Sequence, residues 1–495
     1  MSTVNTRFSD ITNLKMPLYG EVLDARKGRC AVASAALRAG SCVLRTSAVC
    51  AVSSSSCGWC FTPQAALQRC TGCRKARYCS RTCQQRDWPQ HRRECQAWRS
   101  IPANNTSPTV LLVSRIADKL FLGSEINQEE KNRVLKLRYH LDDHTELQRQ
   151  QFHEMTQLIL LLLSRYKGDK GKQIPSFNKL QNDLEPEILK LFGLVNCNAF
   201  SIANDVTNEA VGIGLFPEGA LFNHDCDPNC VVSFKGQEMK VHVIKDVEPG
   251  QELTVSYVEL LQSTKKRRTE LKASYFFECH CTRCLTETTD DWYLDGLECT
   301  NKECVNGVVV VADGDVDNAI CKLCGTARSG AEISRYEHEM KMVEALKVNS
   351  EEDKWKMYHQ QMWEIATTKL NLHPRSTRVA VMAREISNFL LNATSVELQR
   401  QALRFCWVEL RAVEWLLPKT KLPSRGLLHF QIGKLLFKEV TTSMSSVARA
   451  EQLQNATKHL QEALSVLDCA CGSDSDAVQA AQLMLDDVRR AVQLP

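Results

Sequence analysis

The stretch Asn223-His224-Asp225-Cys226-Asp227-Pro228-Asn229-Cys230 decides how this chain reads, because it combines a hydrogen-bonding turn with a metal ligand. Asn, Asp and Pro at this density specify a turn. Such a turn has to be held from several sides. One hold is Cys226, which makes a four-thiolate zinc set with Cys279, Cys281 and Cys284 in the tight C-x-C-x-x-C cluster far downstream. Between them, Gln251-Glu252-Leu253-Thr254-Val255-Ser256-Tyr257 alternates as a strand and delivers a tyrosine at its end.

The chain has 495 residues, 43% of them hydrophobic, which is enough for three or four packed units. Its 23 cysteines are the compositional outlier. The longest apolar run, Leu158 to Leu163, is far short of the ~20 residues of a membrane span, and no apolar segment follows a basic start. A soluble chain in a reducing compartment is expected. There, cysteines at C-x-x-C spacing hold zinc rather than form disulfides, and the sequons at Asn104, Asn392 and Asn455 are chance matches.

Working outward, Cys57-x-x-Cys60, Cys70-x-x-Cys73, Cys79-x-x-x-Cys83 and His91-x-x-x-Cys95 supply eight ligands, enough for two closed tetrahedral sites. So short a segment has almost no core, and metal binding supplies its folding free energy. Cys299-x-x-x-x-Cys304 and Cys321-x-x-Cys324 add a ribbon-type fourth site. Filling all four moves the formal charge from +4 to roughly −3, because bound thiols are deprotonated. Bulk attraction to nucleic acid is not supported.

Together these features resemble the SET-and-MYND lysine methyltransferase family. The 223–230 stretch is similar to its Asn-His-Ser-Cys-x-Pro-Asn motif, with Asp225 in place of the serine. Tyr257 matches its terminal tyrosine, the cluster at 279–284 its post-SET cysteines, and Cys57 to Cys95 its MYND finger. The resemblance implies a multidomain α+β chain. Its parts are a flexible leader (1–15), the SET N-terminal part (16–56), the finger (57–95) and a helical SET insertion (96–194). The core SET (195–260), a post-SET zinc region with the ribbon-like site (261–330) and a C-terminal all-α tetratricopeptide-like domain (331–495) follow.

By the same resemblance, the finger's cross-brace pairs Cys57, Cys60, Cys79 and Cys83 on one zinc, and Cys70, Cys73, His91 and Cys95 on the other. S-adenosyl-L-methionine is the implied cofactor, contacted by Lys27, Arg29, Asn198, Asn223, His224, Tyr257 and Phe277. Its methyl group passes to lysine side chains of histone or other proteins. Tyr257 is the central catalytic residue, with Tyr275 and Phe200 as channel walls. A substrate lysine buried beside a sulfonium loses its proton readily, so no strong base is needed. Where the family has Lys-Gly-x-Gly, this chain has Lys27-Gly28-Arg29-Cys30. Cys30 costs affinity if the position needs positive φ or a close backbone approach, and nothing if it only packs.

From Glu21 to Val52, short runs broken at Lys27-Gly28 and Ala39-Gly40 predict a small antiparallel sheet. Val110, Val113, Ile116, Ala117 and Leu120, then Phe152 to Leu163, have helical spacing, and strand character returns at Val195. Gly212-Ile213-Gly214 reads as backbone approach in a crowded core, not a phosphate loop. Lys265-Lys266-Arg267-Arg268 reads as a solvated helix face. From about Glu332 the pattern is helical throughout, as at Trp355, Tyr358, Met362 and Ile365, with breaks at His373-Pro374, Leu417-Pro418, Lys421 to Ser424 and Cys471 to Ser473.

The finger carries Arg69, Arg74, Lys75, Arg77, Arg81, Arg86, Arg92 and Arg93 against Asp87 and Glu94, read as a solvated face offsetting thiolate charge. The expected partners are proteins that present a lysine, and proteins that dock on the finger or the C-terminal helices; nucleic acid is the less favoured partner. A monomer working in cytoplasm and nucleus, off the membrane, completes the expectation. The alternative is an adaptor on a SET scaffold that has lost its cofactor, motivated by Cys30 and Asp225.

Overall fold

The computed structural model describes residues 17–493, apart from 64–65, 101–106, 124–125, 169–173, 287–289, 313–314, 347–349, 351–352, 354, 392 and 441–443. The expected leader lies outside these residues, as do Asn104 and Asn392.

Strands β1 (Tyr19–Asp24) and β2 (Gly28–Ala33) form an antiparallel hairpin that turns at Gly28, φ 80°. The Asp24 carboxylate accepts the backbone N–H groups of Arg26 and Lys27, both at 2.8 Å, and fixes the turn. The single sheet expected over Glu21 to Val52 ends there. Strands β3 (Cys42–Ser47) and β4 (Cys50–Ser53) leave to pair with segments from far downstream. The reason is burial: Cys50, Ala51 and Val52 are all buried, so β4 needs cover that a local hairpin cannot give.

The finger contributes β5 (Gln68–Arg69), β6 (Arg77–Tyr78) and helix α1 (Arg81–Arg99), whose N-cap Ser80 accepts from the Cys83 amide. Helices α2 (Pro108–Phe121), α3 (Gln128–Leu135), α4 (Glu146–Leu163) and α5 (Phe177–Asn198) follow. All five expected apolar positions of α2 are buried, in one cluster with Ile159, Leu160, Leu162 and Leu163 of α4. Helix α5 runs three residues past the expected strand start, because the Asn198 amide donates to the Leu194 carbonyl (2.8 Å) and closes its last turn.

The core then resumes with β7 (Ala199–Ala203), β8 (Ala210–Leu215), β9 (Asn223–His224), β10 (Cys230–Lys235), β11 (Glu238–Val243) and β12 (Thr254–Val255). One sheet has the order β4-β8-β7, another β10-β11-β3, so the strands before and after the finger and helices are reunited side by side. Strand β12 is shorter than the predicted run and lies parallel to β9, with Thr254 opposite Asn223 and Val255 opposite His224. At Gly212 an added Cβ would sit 2.4 Å from the Phe61 ring and 2.5 Å from the Val52 carbonyl, the close approach read from the Gly-x-Gly.

Helices α6 (Thr264–Tyr275), α7 (Thr282–Leu285) and α8 (Asp290–Asp295) lead to a ribbon of β13 (Leu297–Glu298), β14 (Val308–Ala312) and β15 (Asp315–Cys321). Beyond it come α9 (Gly330–Glu344), two π-helical stretches (Lys356–Met362, Ile365–Lys369), α10 (Thr377–Leu390), α11 (Val396–Leu416), α12 (Pro423–Lys438), α13 (Ser446–Cys471) and α14 (Asp476–Gln493). Met362 and Ile365 are buried, while the Tyr358 side chain lies outside the described residues. The α13–α14 turn is pinned to the core sheet: the buried Lys240 ammonium lies 2.7 Å from both carboxylate oxygens of Asp474, and Arg45 reaches the same carboxylate at 3.2 Å. Among the described residues no helix is long and apolar enough to cross a membrane.

A thiolate-braced candidate active site

Cys226, Cys279, Cys281 and Cys284 converge on one point, and three more sets do the same: Cys57, Cys60, Cys79 and Cys83; Cys70, Cys73, His91 and Cys95; Cys299, Cys304, Cys321 and Cys324. All these thiols are free. Cys226 Sγ lies 3.5 Å from Cys284 and 4.0 Å from Cys279, and the ribbon pairs Cys299–Cys324 and Cys304–Cys321 stand at 3.6 and 3.8 Å. A disulfide needs about 2.05 Å, whereas a tetrahedron with Zn–S near 2.3 Å has edges of about 3.8 Å. The donor sets therefore fit zinc. At Gly307 an added Cβ would fall 2.5 Å from Cys304 Sγ and 3.0 Å from Cys321 Sγ, so only glycine fits this ribbon knuckle.

The Cys226 set has an outer layer that spacing alone could not reveal. Arg267 is 1% exposed; its Nε donates to Cys226 Sγ (3.3 Å), and its guanidinium also reaches Cys284 Sγ, the Gln262 carbonyl and Thr264 Oγ1. The solvated-face reading of 265–268 holds for the exposed Lys265 and Lys266 and fails for Arg267, because four thiolates in a dry site draw in a cation. Arg283 ties the Cys226 carbonyl (3.0 Å) to that of Leu260 (3.0 Å).

His224 is held at both nitrogens. Its Nδ1 accepts the Tyr257 backbone N–H at 3.0 Å, so Nε2 carries the proton and donates to Cys226 Sγ at 3.2 Å. Burial holds its pKa down to about 4, which keeps the ring neutral. The imidazole thus links the thiolate cluster to Tyr257, and what His224 has left to offer a cofactor is its backbone. Asn229, the last residue of the matched motif but given no role by the sequence reading, clamps the same crossing: its amide donates to the Glu252 carbonyl (2.8 Å) and accepts from the Thr254 N–H (2.9 Å).

The Tyr257 hydroxyl donates to the Phe222 carbonyl at 2.9 Å. Burial, with Tyr275 adding to it, pushes its phenol well above the ordinary tyrosine range, so it is a neutral donor and its lone pairs are free to accept. Its ring packs 4.8 Å from Tyr275 and 6.5 Å from Phe277, and Phe277 lies 6.1 Å from His224. Phe276 between them sits at φ 59°, a conformation bulky residues avoid. It is held there by rings of His140 (5.4 Å) and His144 (4.7 Å).

Asn223 Nδ2 faces three acceptors: Glu252 Oε1 (3.0 Å), the Arg29 carbonyl (3.1 Å) and Cys30 Sγ (3.2 Å). Lys27 Nζ pairs with Glu252 Oε2 at 2.5 Å. These contacts bring Lys27, Arg29, Asn223, His224, Tyr257, Tyr275 and Phe277 into one chain of neighbours. Phe200 packs with Phe216 (6.0 Å) in the core below, and the Asn198 amide donates to the Arg138 carbonyl (2.8 Å) and, as noted, to that of Leu194. Cys30 is not among the positive-φ residues; it is an ordinary β2 position with a buried thiol, which burial pushes up to about 11. Asp225 caps its own turn by accepting the Asp227 N–H (2.8 Å), work a serine oxygen also does, more weakly.

The finger is tied to the core through buried charge. Glu94 pairs with Arg115 (2.5 Å), whose guanidinium also donates to the Ala51 carbonyl (2.6 Å) and lies over Trp98, and Arg93 pairs with Asp118 (2.6 Å). Arg93, Asp87 and Glu94 are buried, so they leave the solvated face to Arg69, Arg74, Arg77, Arg81, Arg86 and Arg92.

Fold and site define a class: an α+β protein braced by zinc-thiolate clusters, with a cross-braced finger inserted into a split β-rich core. The MYND finger family model matches residues 57–95. The chain is 33% identical over 247 residues to human histone-lysine N-methyltransferase SMYD3 (50% of this chain, 55% of the relative). It is 35% identical over 235 residues to zebrafish N-lysine methyltransferase SMYD2-B (47% and 51%). With Arabidopsis thaliana histone-lysine N-methyltransferase ASHR1 the identity is 30% over 417 residues, 80% of this chain and 82% of the relative. The match thus spans about half the length of the animal relatives and most of the plant one. The chain belongs to the SET-and-MYND family.

Proposed function

We propose that this chain is a protein-lysine N-methyltransferase that uses S-adenosyl-L-methionine, with the split β-rich core as its SET domain and the helices after the ribbon as a tetratricopeptide-like domain. The observation that carries the reading is the neutral Tyr257, fixed through its amide to His224 and through His224 to the thiolate cluster, beside the Asn223 turn. The cofactor when bound supplies an electrophilic methyl group on sulfur. The side chains fit it: an ammonium, a carboxylate and an amide at Lys27, Glu252 and Asn223, and an aromatic wall of Tyr257, Tyr275 and Phe277.

Tyr257 is a positioning acceptor rather than a base. Its proton is committed to the Phe222 carbonyl, so its lone pairs orient the incoming amine. The apolar rings lower the pKa of a substrate ammonium by desolvation, which delivers the neutral nucleophile. Cys30 and Asp225, the residues that motivated an adaptor reading, each have an unstrained structural role.

The test is calorimetric titration of zinc-loaded protein with S-adenosyl-L-methionine, with Asn223→Ala as control, followed by methyl transfer to histone and peptide pools by wild type and Tyr257→Phe. Binding lost in the first variant, and turnover lost with binding retained in the second, is the expected result. No binding to folded, metallated wild type would sink the enzyme reading.

A further inference from the structure

Glu252 has no part in the reading of the motif around it, yet it is the hub of the residues assembled at the turn. Its Oε1 takes the Asn223 amide at 3.0 Å and its Oε2 the Lys27 ammonium at 2.5 Å, partners 29 and 225 residues away in sequence. Its backbone is fixed on both flanks, through the Asn229 amide on its carbonyl and an antiparallel bridge to Val32. The direction of its side chain is therefore set by the fold rather than by the ion pair. The carboxylate is 21% exposed and the lysine side chain 54%, so both ends can be reached by a ligand.

A second consequence concerns Asn223. Its nitrogen end is surrounded by acceptors, Glu252 Oε1, the Arg29 carbonyl and Cys30 Sγ, which settles the amide orientation and leaves Oδ1 as the atom that can accept from a ligand. An ammonium next to a carboxylate, with an amide oxygen beside them, is the mirror of a zwitterionic α-amino acid: ammonium, carboxylate and donor N–H groups.

We infer that Glu252, the partner of Lys27, is a binding residue for the α-ammonium of the cofactor, beside the Lys27 and Asn223 contacts that the family resemblance implies. The inference rests on the methyltransferase reading. In the ligand-free protein the two side chains satisfy each other. On binding, the pair opens: Glu252 and Asn223 Oδ1 accept from the α-ammonium, and Lys27 donates to the α-carboxylate. No bond is made or broken, and the charge count stays balanced, two ion pairs replacing one. With its lysine half-exposed, the pair is cheap to open.

The test compares ligands that share the adenosyl part. In Glu252→Gln, which keeps the shape and removes the charge, affinity for S-adenosylhomocysteine should fall at least tenfold, while that for 5′-methylthioadenosine, which lacks the amino acid, should stay within twofold. Decarboxylated S-adenosylmethionine, which keeps the ammonium alone, should respond to Glu252→Gln and not to Lys27→Met. Equal losses for all three ligands together with a lower melting temperature would make Glu252 a structural strut and overturn the inference. So would unchanged S-adenosylhomocysteine affinity. Wild type that binds none of the ligands would instead refute the methyltransferase reading itself.

Discussion

Replacing Arg267 with methionine should loosen one zinc site and the turn attached to it. A filled four-thiolate site carries about −2, and the Arg267 guanidinium touches two of its sulfurs, Cys226 at 3.3 Å and Cys284 at 3.8 Å. It also satisfies the Gln262 carbonyl and Thr264 hydroxyl. Removing one partner of a buried charge pair costs about 3–5 kcal/mol of stability. Loss of an outer donor to a ligand weakens metal binding about 10–100-fold, or roughly 1.4–2.8 kcal/mol. The smaller range governs zinc affinity here, because His224 still donates to Cys226 and Arg283 still ties its carbonyl. The assay exposes zinc-loaded protein to a graded chelator and counts the zinc released per chain. Lys266→Met, an exposed cation that pairs with Asp295, is the control. The variant should lose one zinc at 10–100-fold lower chelator strength, with a depressed melting temperature, and the control should not. A release curve identical to wild type in folded Arg267→Met protein would refute the argument.

Arg115→Met leaves the fully buried Glu94 without its guanidinium, keeping the His91 Nδ1 contact at 3.5 Å, and should lower stability by about 3–5 kcal/mol, read from the denaturant midpoint, with earlier proteolysis within residues 57–95. Cys30→Gly should change S-adenosyl-L-methionine affinity less than threefold by calorimetry, since the position needs no positive φ. Burial, with His429 adding to it, holds His459 down to about 4, and its Nδ1 lies 2.9 Å from that of His429. A base with a depressed folded pKa takes up its proton on unfolding, so its contribution is intact above about 6.5 and is lost as the pH falls toward 4. His459→Asn should flatten the fall in stability between pH 7 and 5, by less than one proton's slope of about 1.4 kcal/mol per unit because the ring is partly exposed.

The ligand sets were legible because metal coordination fixes spacing and residue type together. The spacings pick out the ligands, and the sets the fold brings within reach of one another include the finger pairing that the family resemblance implies. The apolar stripe of α2 was legible for the same reason, as periodicity is local. What stayed hidden depends on contacts between distant segments. Arg267 sits in a run of four cations, and only the position of Cys226, 41 residues upstream, distinguishes it from its neighbours. Glu252 looks like an ordinary strand residue, and the motif residue Asn229 shows no partner, until β12 is laid parallel to β9. The partners of β3 and β4 lie beyond the finger and the helices, so no local pattern could announce them.

The latch between Cys226 and Cys284 also sets an order of events during synthesis. The two thiols are 58 residues apart, so a ribosome adding about 5–20 residues per second makes the first wait roughly 3–12 seconds for the second. Until then the Asn223 turn lacks its full set of thiolates, although Tyr257 has already been made and its backbone N–H can reach His224. The finger, complete by Cys95, can take its zinc long before, while β3 stays unpaired until β11 emerges. The part of the chain that would hold the cofactor thus sets after the finger, and a newly made molecule short of zinc would carry a finished finger beside an unfinished turn.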